Sequence, residues 1–236
     1  MTPALIELSD ISKAYGALRP LRIASLSVAA GESVAIVGLD GPAAEMFLNL
    51  LTGATLPDSG GVRAFGRQTS GIADATEWLA FVDRFGIVSE RAVLLDGLSI
   101  AQNLAVPFTL EIEPPPDDVR VLVETLAGEV GLDAAVLSRP VGEIDATTRA
   151  RVRLARALAL DPAILLIEHL SAGVPPGDVA SLGASIRRLA ERRGVAVIAA
   201  TADLEFARAL TPRVLTLEPA TGKLSARRGW LPGRRS

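Results

Sequence analysis

The chain has 236 residues, 49% hydrophobic and 22% charged, and its 24 Lys and Arg against 27 Asp and Glu give a formal net charge of −3. This composition excludes disordered and fibrous proteins. The balanced charge argues against nucleic acid as a partner, because phosphate binding needs a concentrated basic face. The absence of Cys excludes disulfide frameworks, Fe–S clusters, thiolate zinc sites and Cys nucleophiles.

A chain of this length can bury one large core, so we expect a single domain over residues 1–236. Its apolar runs are far shorter than the roughly 20 residues that a membrane-spanning helix needs. The first eight residues also lack the basic flank of a secretion signal. We therefore expect a cytoplasmic protein that reaches the inner face of a membrane only through a partner.

The first third of the chain predicts an antiparallel β layer. Short apolar stretches alternate there with turn-forming clusters such as residues 58–61. The predicted strands of this layer are residues 5–8, 21–28 and 62–65.

The remainder predicts helices packed on a mostly parallel sheet, because short Val- and Ile-rich runs alternate with runs of helical periodicity. The predicted strands are residues 34–37, 82–88, 164–167, 195–200 and 214–217. Residues 98–160 are expected to be mainly helical, with a loop at the triple proline 114–116. We expect an α/β core over 1–88 and 161–220, a helical subdomain over 89–160 and a basic tail over 221–236.

Three groups of segments, in this order along the chain, resemble the ATP-binding cassette of ABC transporters. They are residues 30–41 with 48–53 and 57–60, then 86–104, and finally 151–167. The first is similar to the phosphate loop and its helix, the second to the Q-loop, and the third to the helix that leads into the Walker B strand. The resemblance implies a P-loop NTPase-like α/β fold with an N-terminal antiparallel layer and a helical subdomain.

The phosphate-loop stretch departs from the family pattern GxxxxGK(S/T), in which backbone N–H groups and the Lys bind phosphates and the hydroxyl holds Mg²⁺. The aligned positions are Gly38, Asp40, Gly41, Ala44, Glu45 and Met46. Ala44 stands at the Lys position and Glu45 at the hydroxyl position. Repulsion between the Glu45 carboxylate and a phosphate oxygen about 4 Å away would weaken binding by about 4 kcal/mol at an effective dielectric of 20. We therefore expect that MgATP is not bound tightly.

The same loop has structural interpretations. Asp40 and Gly41 predict a tight turn, and the loop then serves as a strand-to-helix connector or as an altered anion site. We place Glu45 in the first turn of the following helix, where the helix dipole favours a carboxylate.

Other positions that carry nucleotide chemistry in the family also differ. The Walker B Asp-Glu pair aligns with Glu168 and His169, the Q-loop glutamine with Glu90, and the switch histidine with Ala202. Glu168 could face a metal, whereas His169 does not replace a carboxylate that activates water. The resemblance thus implies no intact catalytic residue and no metal site beyond Glu168.

The signature motif LSGGQ aligns with Ile144, Asp145, Ala146, Thr147 and Thr148. Both glycines are replaced, and a carboxylate stands where the family places a Ser near the γ-phosphate held by an opposing cassette. In a pair with an intact cassette, Asp145 would therefore enter the partner's site.

Two side chains leave alternatives open. Tyr15 aligns with the family's adenine-stacking aromatic, and it either stacks on a base or packs as an amphipathic surface aromatic. His169 lies near Ser171 and Glu168, but neighbouring residues at a strand end point to opposite sides, so we expect no Ser-His-acid triad.

Two arginine groups are expected to be solvated. The first predicts an exposed helical face and consists of Arg149, Arg151, Arg153 and Arg156. The second lies in the tail with Trp230, where binding to an anionic membrane surface is the alternative, and consists of Arg227, Arg228, Arg234 and Arg235.

The resemblance therefore predicts an ABC-type subunit without ATPase activity that has a structural or regulatory role, with no required cofactor. Its expected partners are a transmembrane permease, docked near residues 90–104, and a second cassette. One alternative is a divergent, weakly active ATPase that uses ATP and Mg²⁺. The other is a free-standing interaction protein on the same scaffold.

Overall fold

The computed structural model describes residues 4–226 as two β-sheets with helices packed around them. The first sheet is antiparallel, with strand order β2-β1-β4-β5. Its strands are β1 (Ala4–Lys13), β2 (Leu21–Ala29), β4 (Ser59–Ala64) and β5 (Arg67–Gln68). This sheet is the antiparallel layer that the first third of the sequence predicts.

The second sheet has six strands in the order β10-β9-β3-β8-β7-β6. All neighbours pair in parallel except β10, which runs antiparallel to β9. Its strands are β3 (Ser33–Val37), β6 (Phe85–Val88), β7 (Ile164–Glu168), β8 (Ala196–Ala200), β9 (Val214–Glu218) and β10 (Lys223–Ala226). The mostly parallel sheet of the sequence prediction is thus confirmed.

Seven α-helices connect these strands within residues 4–226. They are α1 (Gly41–Leu51), α2 (Ala75–Val82), α3 (Ile100–Ala105), α4 (Asp117–Glu129), α5 (Ala146–Leu158), α6 (Pro176–Arg193) and α7 (Leu204–Leu210). Pro114–Pro116 lie directly before α4, as their inability to continue a helix predicts. No helix in this part of the chain combines the length and apolarity needed to cross a bilayer.

The parallel sheet separates two hydrophobic clusters, because successive side chains of a strand point to opposite faces. Leu165 and Ile167 of β7 lie in the cluster formed with α3 to α7. Ile164 and Leu166 lie in the other cluster, between the sheet, α1 and the antiparallel layer. Strands covered on both faces have continuous apolar sequences, and for this reason the sequence alone predicts them.

Several predicted strand boundaries are wrong. In the antiparallel layer, β1 continues to Lys13 where an end at residue 8 is predicted, and β4 is Ser59–Ala64 where 62–65 is predicted. The strand expected from residue 82 begins at Phe85, because Asp74 caps α2 and that helix runs through Val82. The strand expected from residue 195 begins at Ala196.

The tail expected from residue 221 includes a strand, β10, which pairs with β9. The remaining tail residues, including Arg227, Arg228, Trp230, Arg234 and Arg235, lie outside the described part of the chain.

Candidate functional site

The helix that follows the phosphate-loop positions begins on an acidic cap. Asp40 is the N-cap of α1, and its Oδ1 accepts a hydrogen bond from Ala43 N–H at 2.9 Å. The interpretation of Asp40-Gly41 as a tight turn is therefore corrected, because Gly41 is the first helical residue. One of the backbone donors that point out of the helix N-terminus is bound by the protein's own carboxylate.

Ala44, Glu45 and Met46 follow on α1. Ala44 is fully buried, so the aligned Lys position is packed into the core. The prediction that Glu45 lies in the first turn of α1 is wrong, because Glu45 comes after that turn. Its carboxylate forms an ion pair with Arg91 instead of a contact with the helix dipole. Met46 is half-buried and packs against the cluster beneath the antiparallel layer.

An arginine joins Glu45 to the end of β7. Arg91 Nη1 lies 2.5 Å from Glu45 Oε1, and Arg91 Nη2 lies 2.7 Å from Glu168 Oε2. The Glu168 side chain is only 12% exposed, whereas those of Arg91 and Glu45 are nearly half exposed. The guanidinium thus bridges the two carboxylates that align with the metal-supporting positions of the resembled family. We call this group the Arg91 bridge.

His169 follows Glu168 in a left-handed backbone conformation, with φ +45°. Its Nε2 is buried and has no hydrogen-bond partner among the described residues. Ser171, the third residue considered for a triad, follows closely in the chain and is buried. It makes no hydrogen bond to His169 Nε2. The geometry gives no Ser-His-acid relay.

The Q-loop position, Glu90, is exposed, and its carboxylate lies 4.0 Å from Arg153 Nη1.

The prediction that the α5 arginines form a solvated face is wrong, because their side chains bind loop backbone and acidic groups. Arg156 donates to the Val93 carbonyl oxygen at 2.6 Å, and Arg149 pairs with Asp96 at 2.9 Å.

The other two α5 arginines are also engaged. Arg151 donates to the Gly131 carbonyl oxygen at 2.5 Å. Burial lowers the pKa of both Arg153 and Arg156, since desolvation disfavours the charged guanidinium.

The signature-aligned residues form the start of α5. Ile144 is buried, Asp145 is the N-cap, and Ala146 is the first helical residue. Hydrogen bonds from the backbone N–H and hydroxyl of Thr148 hold the pKa of Asp145 below its ordinary value. Thr147 Oγ1 donates to Asp178 Oδ2 at 2.8 Å and joins α5 to α6.

Ala202 lies exposed between the end of β8 and the helix α7. Its neighbour Asp203 caps that helix by accepting from the backbone N–H groups of Glu205 and Phe206. The switch-histidine position therefore carries no side chain able to bond a phosphate.

Tyr15 lines a small cavity of about 140 Å³ that also includes Gly38, Leu39 and Asp40. The ring packs against the cluster beneath the antiparallel layer. Desolvation by burial, followed by the nearby Asp40 charge, raises the pKa of Tyr15. This supports the packing interpretation, and the cavity places the ring beside the phosphate-loop positions.

The residues present do not fit a magnesium nucleotide. A guanidinium occupies the space between Glu45 and Glu168, and Asp40 binds a donor at the α1 N-terminus. Arg91 is already shared by Glu45 and Glu168, Asp40 adds a third carboxylate, and the fully buried Ala44 supplies no further cation for a triphosphate.

Arg91 is the residue that sequence reasoning missed. It directly follows Glu90, which the Q-loop comparison singled out, but we assigned it no role. The sequence did contain a signal, because Glu45 and Glu168 both align with metal-supporting positions. Two carboxylates close together need a counter-cation, which an arginine in a neighbouring loop can supply.

Comparison with known proteins places this chain among transporter cassettes. The profile of the ABC transporter family matches residues 21–169. The methionine import ATP-binding protein MetN of Brucella abortus is 27% identical over 214 residues, which are 91% of this chain and 57% of that protein. The MetN of Caulobacter vibrioides is 29% identical over 216 residues, 91% of this chain and 64% of that protein. The chain thus spans about three fifths of the length of these relatives.

Solved structures agree on the fold. CbiO1 of Clostridium perfringens, part of the ABC transporter complex cbiONQ, superposes with a TM-score of 0.79 at 18% identity, covering 94% of this chain and 87% of that one. The cassette MJ0796, a dimer bound to ADP and Pi, gives a TM-score of 0.76 at 21% identity, covering 95% and 100%. With the matching profile over most of its length, the chain belongs to the ABC transporter family.

Proposed function

We propose that this chain is a subunit of an ABC-type membrane transport system that neither binds MgATP tightly nor hydrolyses it. Its role is then to hold or regulate the assembly. The observation that carries this proposal is the Arg91 bridge, in which Glu45 and Glu168 already share an internal cation. The acidic cap at Asp40 and the buried Ala44 support it from the phosphate-binding side.

The proposed partner is a transmembrane permease, through which the chain reaches the cytoplasmic face of the membrane. A groove of about 310 Å³ lies between β6 and α5 and supports this docking mode. Ile87, Ala92, Pro107 and Leu160 supply its apolar lining, and Arg156 adds a cation. An amphipathic permease helix with an acidic residue near its tip matches this chemistry.

Thermal unfolding with millimolar MgATP tests the proposal, with phosphate release measured on the same sample. A ligand that binds only the folded state raises Tm in proportion to the logarithm of its concentration over Kd. We expect no shift and no phosphate above the protein-free rate. A cassette with an intact GxxxxGK(S/T) loop serves as the positive control. A rise of several degrees together with phosphate release favours the divergent-ATPase alternative and contradicts this proposal.

A further inference from the structure

We propose that Arg91 is a positioning residue that joins α1 and β7 to the loop of residues 89–97 and thereby holds this loop against the core without nucleotide. The docking role of that loop rests on the function proposed above. The positioning itself rests only on the contacts of the described residues. We call residues 89–97 the Arg91 loop.

The Arg91 bridge joins three separate parts of the chain. Glu45 comes from α1, Glu168 ends β7, and Arg91 lies on the loop after β6. The planar guanidinium offers two nitrogens in a fixed fork, so one arginine can bind two carboxylates at once. Without it, two carboxylates would face one another at the cleft, with Glu168 largely buried.

The opposite side of the Arg91 loop is held by the helical region. The Asn103 side chain accepts from Leu95 N–H at 2.8 Å and donates to the Leu95 carbonyl oxygen at 3.0 Å. Arg156 donates to the Val93 carbonyl oxygen, and Arg149 pairs with Asp96. These contacts tie the loop to α3 and α5, while the Arg91 bridge ties it to α1 and β7.

The groove proposed for docking depends on this double attachment. Ala92, beside Arg91, lines the groove together with Arg153 and Arg156. A loop attached on both sides keeps the groove in one shape. The docking surface should therefore form whether or not nucleotide is present.

Hydrogen exchange of the purified chain with Arg91→Ala tests the proposal. We expect the amides of residues 89–97 to exchange about fivefold faster, because partly exposed ion pairs of this kind contribute on the order of 1 kcal/mol and 1.4 kcal/mol corresponds to about tenfold. Arg120→Ala, which removes the exposed pair with Asp117 on α4, is the matched control and should leave the loop unaffected.

The double variant Glu45→Gln, Glu168→Gln keeps Arg91 and removes its partners. It should show the same faster exchange, because Arg91 then has no carboxylate to pair with. Wild-type exchange rates in Arg91→Ala would overturn the positioning role. Wild-type rates in the double variant would overturn it as well, because the loop would then be held without the two carboxylates. Neither result depends on nucleotide binding by the wild type, which the unfolding experiment tests separately.

Discussion

Three aspartates begin helices at or next to positions that the family comparison singled out. Asp40, Asp145 and Asp203 cap α1, α5 and α7, and each accepts a backbone N–H of the first turn. Helix N-termini attract anions through their free N–H groups and their partial positive charge. In this chain the anions are side chains of the protein. Each carboxylate therefore stabilises the start of its helix, and Asp40 occupies a backbone donor at the phosphate-loop positions.

Asp145 offers a direct measure of this stabilisation. Asp145→Ala should lower the free energy of unfolding by about 1 kcal/mol at neutral pH, whereas Asp145→Asn, another good cap, should stay close to the wild type. Urea unfolding of the three proteins at pH 7 checks the expected order.

The same cap predicts a pH dependence. The folded-state pKa of Asp145 lies below its ordinary value of 3.8 because Thr148 hydrogen-bonds the ionised carboxylate. Its contribution is present above that ordinary value and is lost as the pH falls through the lower, folded-state pKa. The stability difference between the wild type and Asp145→Ala should therefore shrink on acidification. A difference that stays constant down to pH 2 would contradict this assignment.

At the scale of elements, the contact between β6 and α5 organises the proposed docking groove. Gly86 permits this contact, because a Cβ there would overlap the Ala157 carbonyl oxygen and crowd Leu165. The α5 arginines then bind carbonyl and carboxylate groups of the Arg91 loop across the groove. Leu160, just beyond α5, is 57% exposed at its edge.

Leu160→Asp should weaken binding to permease-containing membranes about tenfold, since a carboxylate would be desolvated in an apolar contact. A flotation assay with the copurified permease in liposomes measures the bound fraction. Leu110→Asp is the control, because Leu110 is 93% exposed and does not line the groove. Equal binding by both variants would place the docking surface elsewhere.

At the scale of the whole molecule, the sequence predicted the layers better than the cleft. Buried strands such as β7 and β8 are continuous apolar runs, so their identity is visible in the residues themselves. The end of α2 was missed because Val82 and Phe85 are both apolar, and the intervening turn carries no Gly or Pro.

The cleft contacts depend on how distant segments fold together. Arg91 lies 46 residues from Glu45 and 77 from Glu168, so local periodicity could not join them. The arginines of α5 bind carbonyl oxygens of Val93 and Gly131, and backbone acceptors leave no mark in the sequence. For this reason a helical face that looked solvated proved to be covered.

Calorimetric titration of the wild type with ATP, with and without Mg²⁺, tests the central claim most directly. We expect no saturable heat in either titration, because the space between Glu45 and Glu168 is filled by the Arg91 guanidinium. Saturable binding that tightens when Mg²⁺ is added would show that a metal nucleotide displaces the guanidinium, and it would contradict the account.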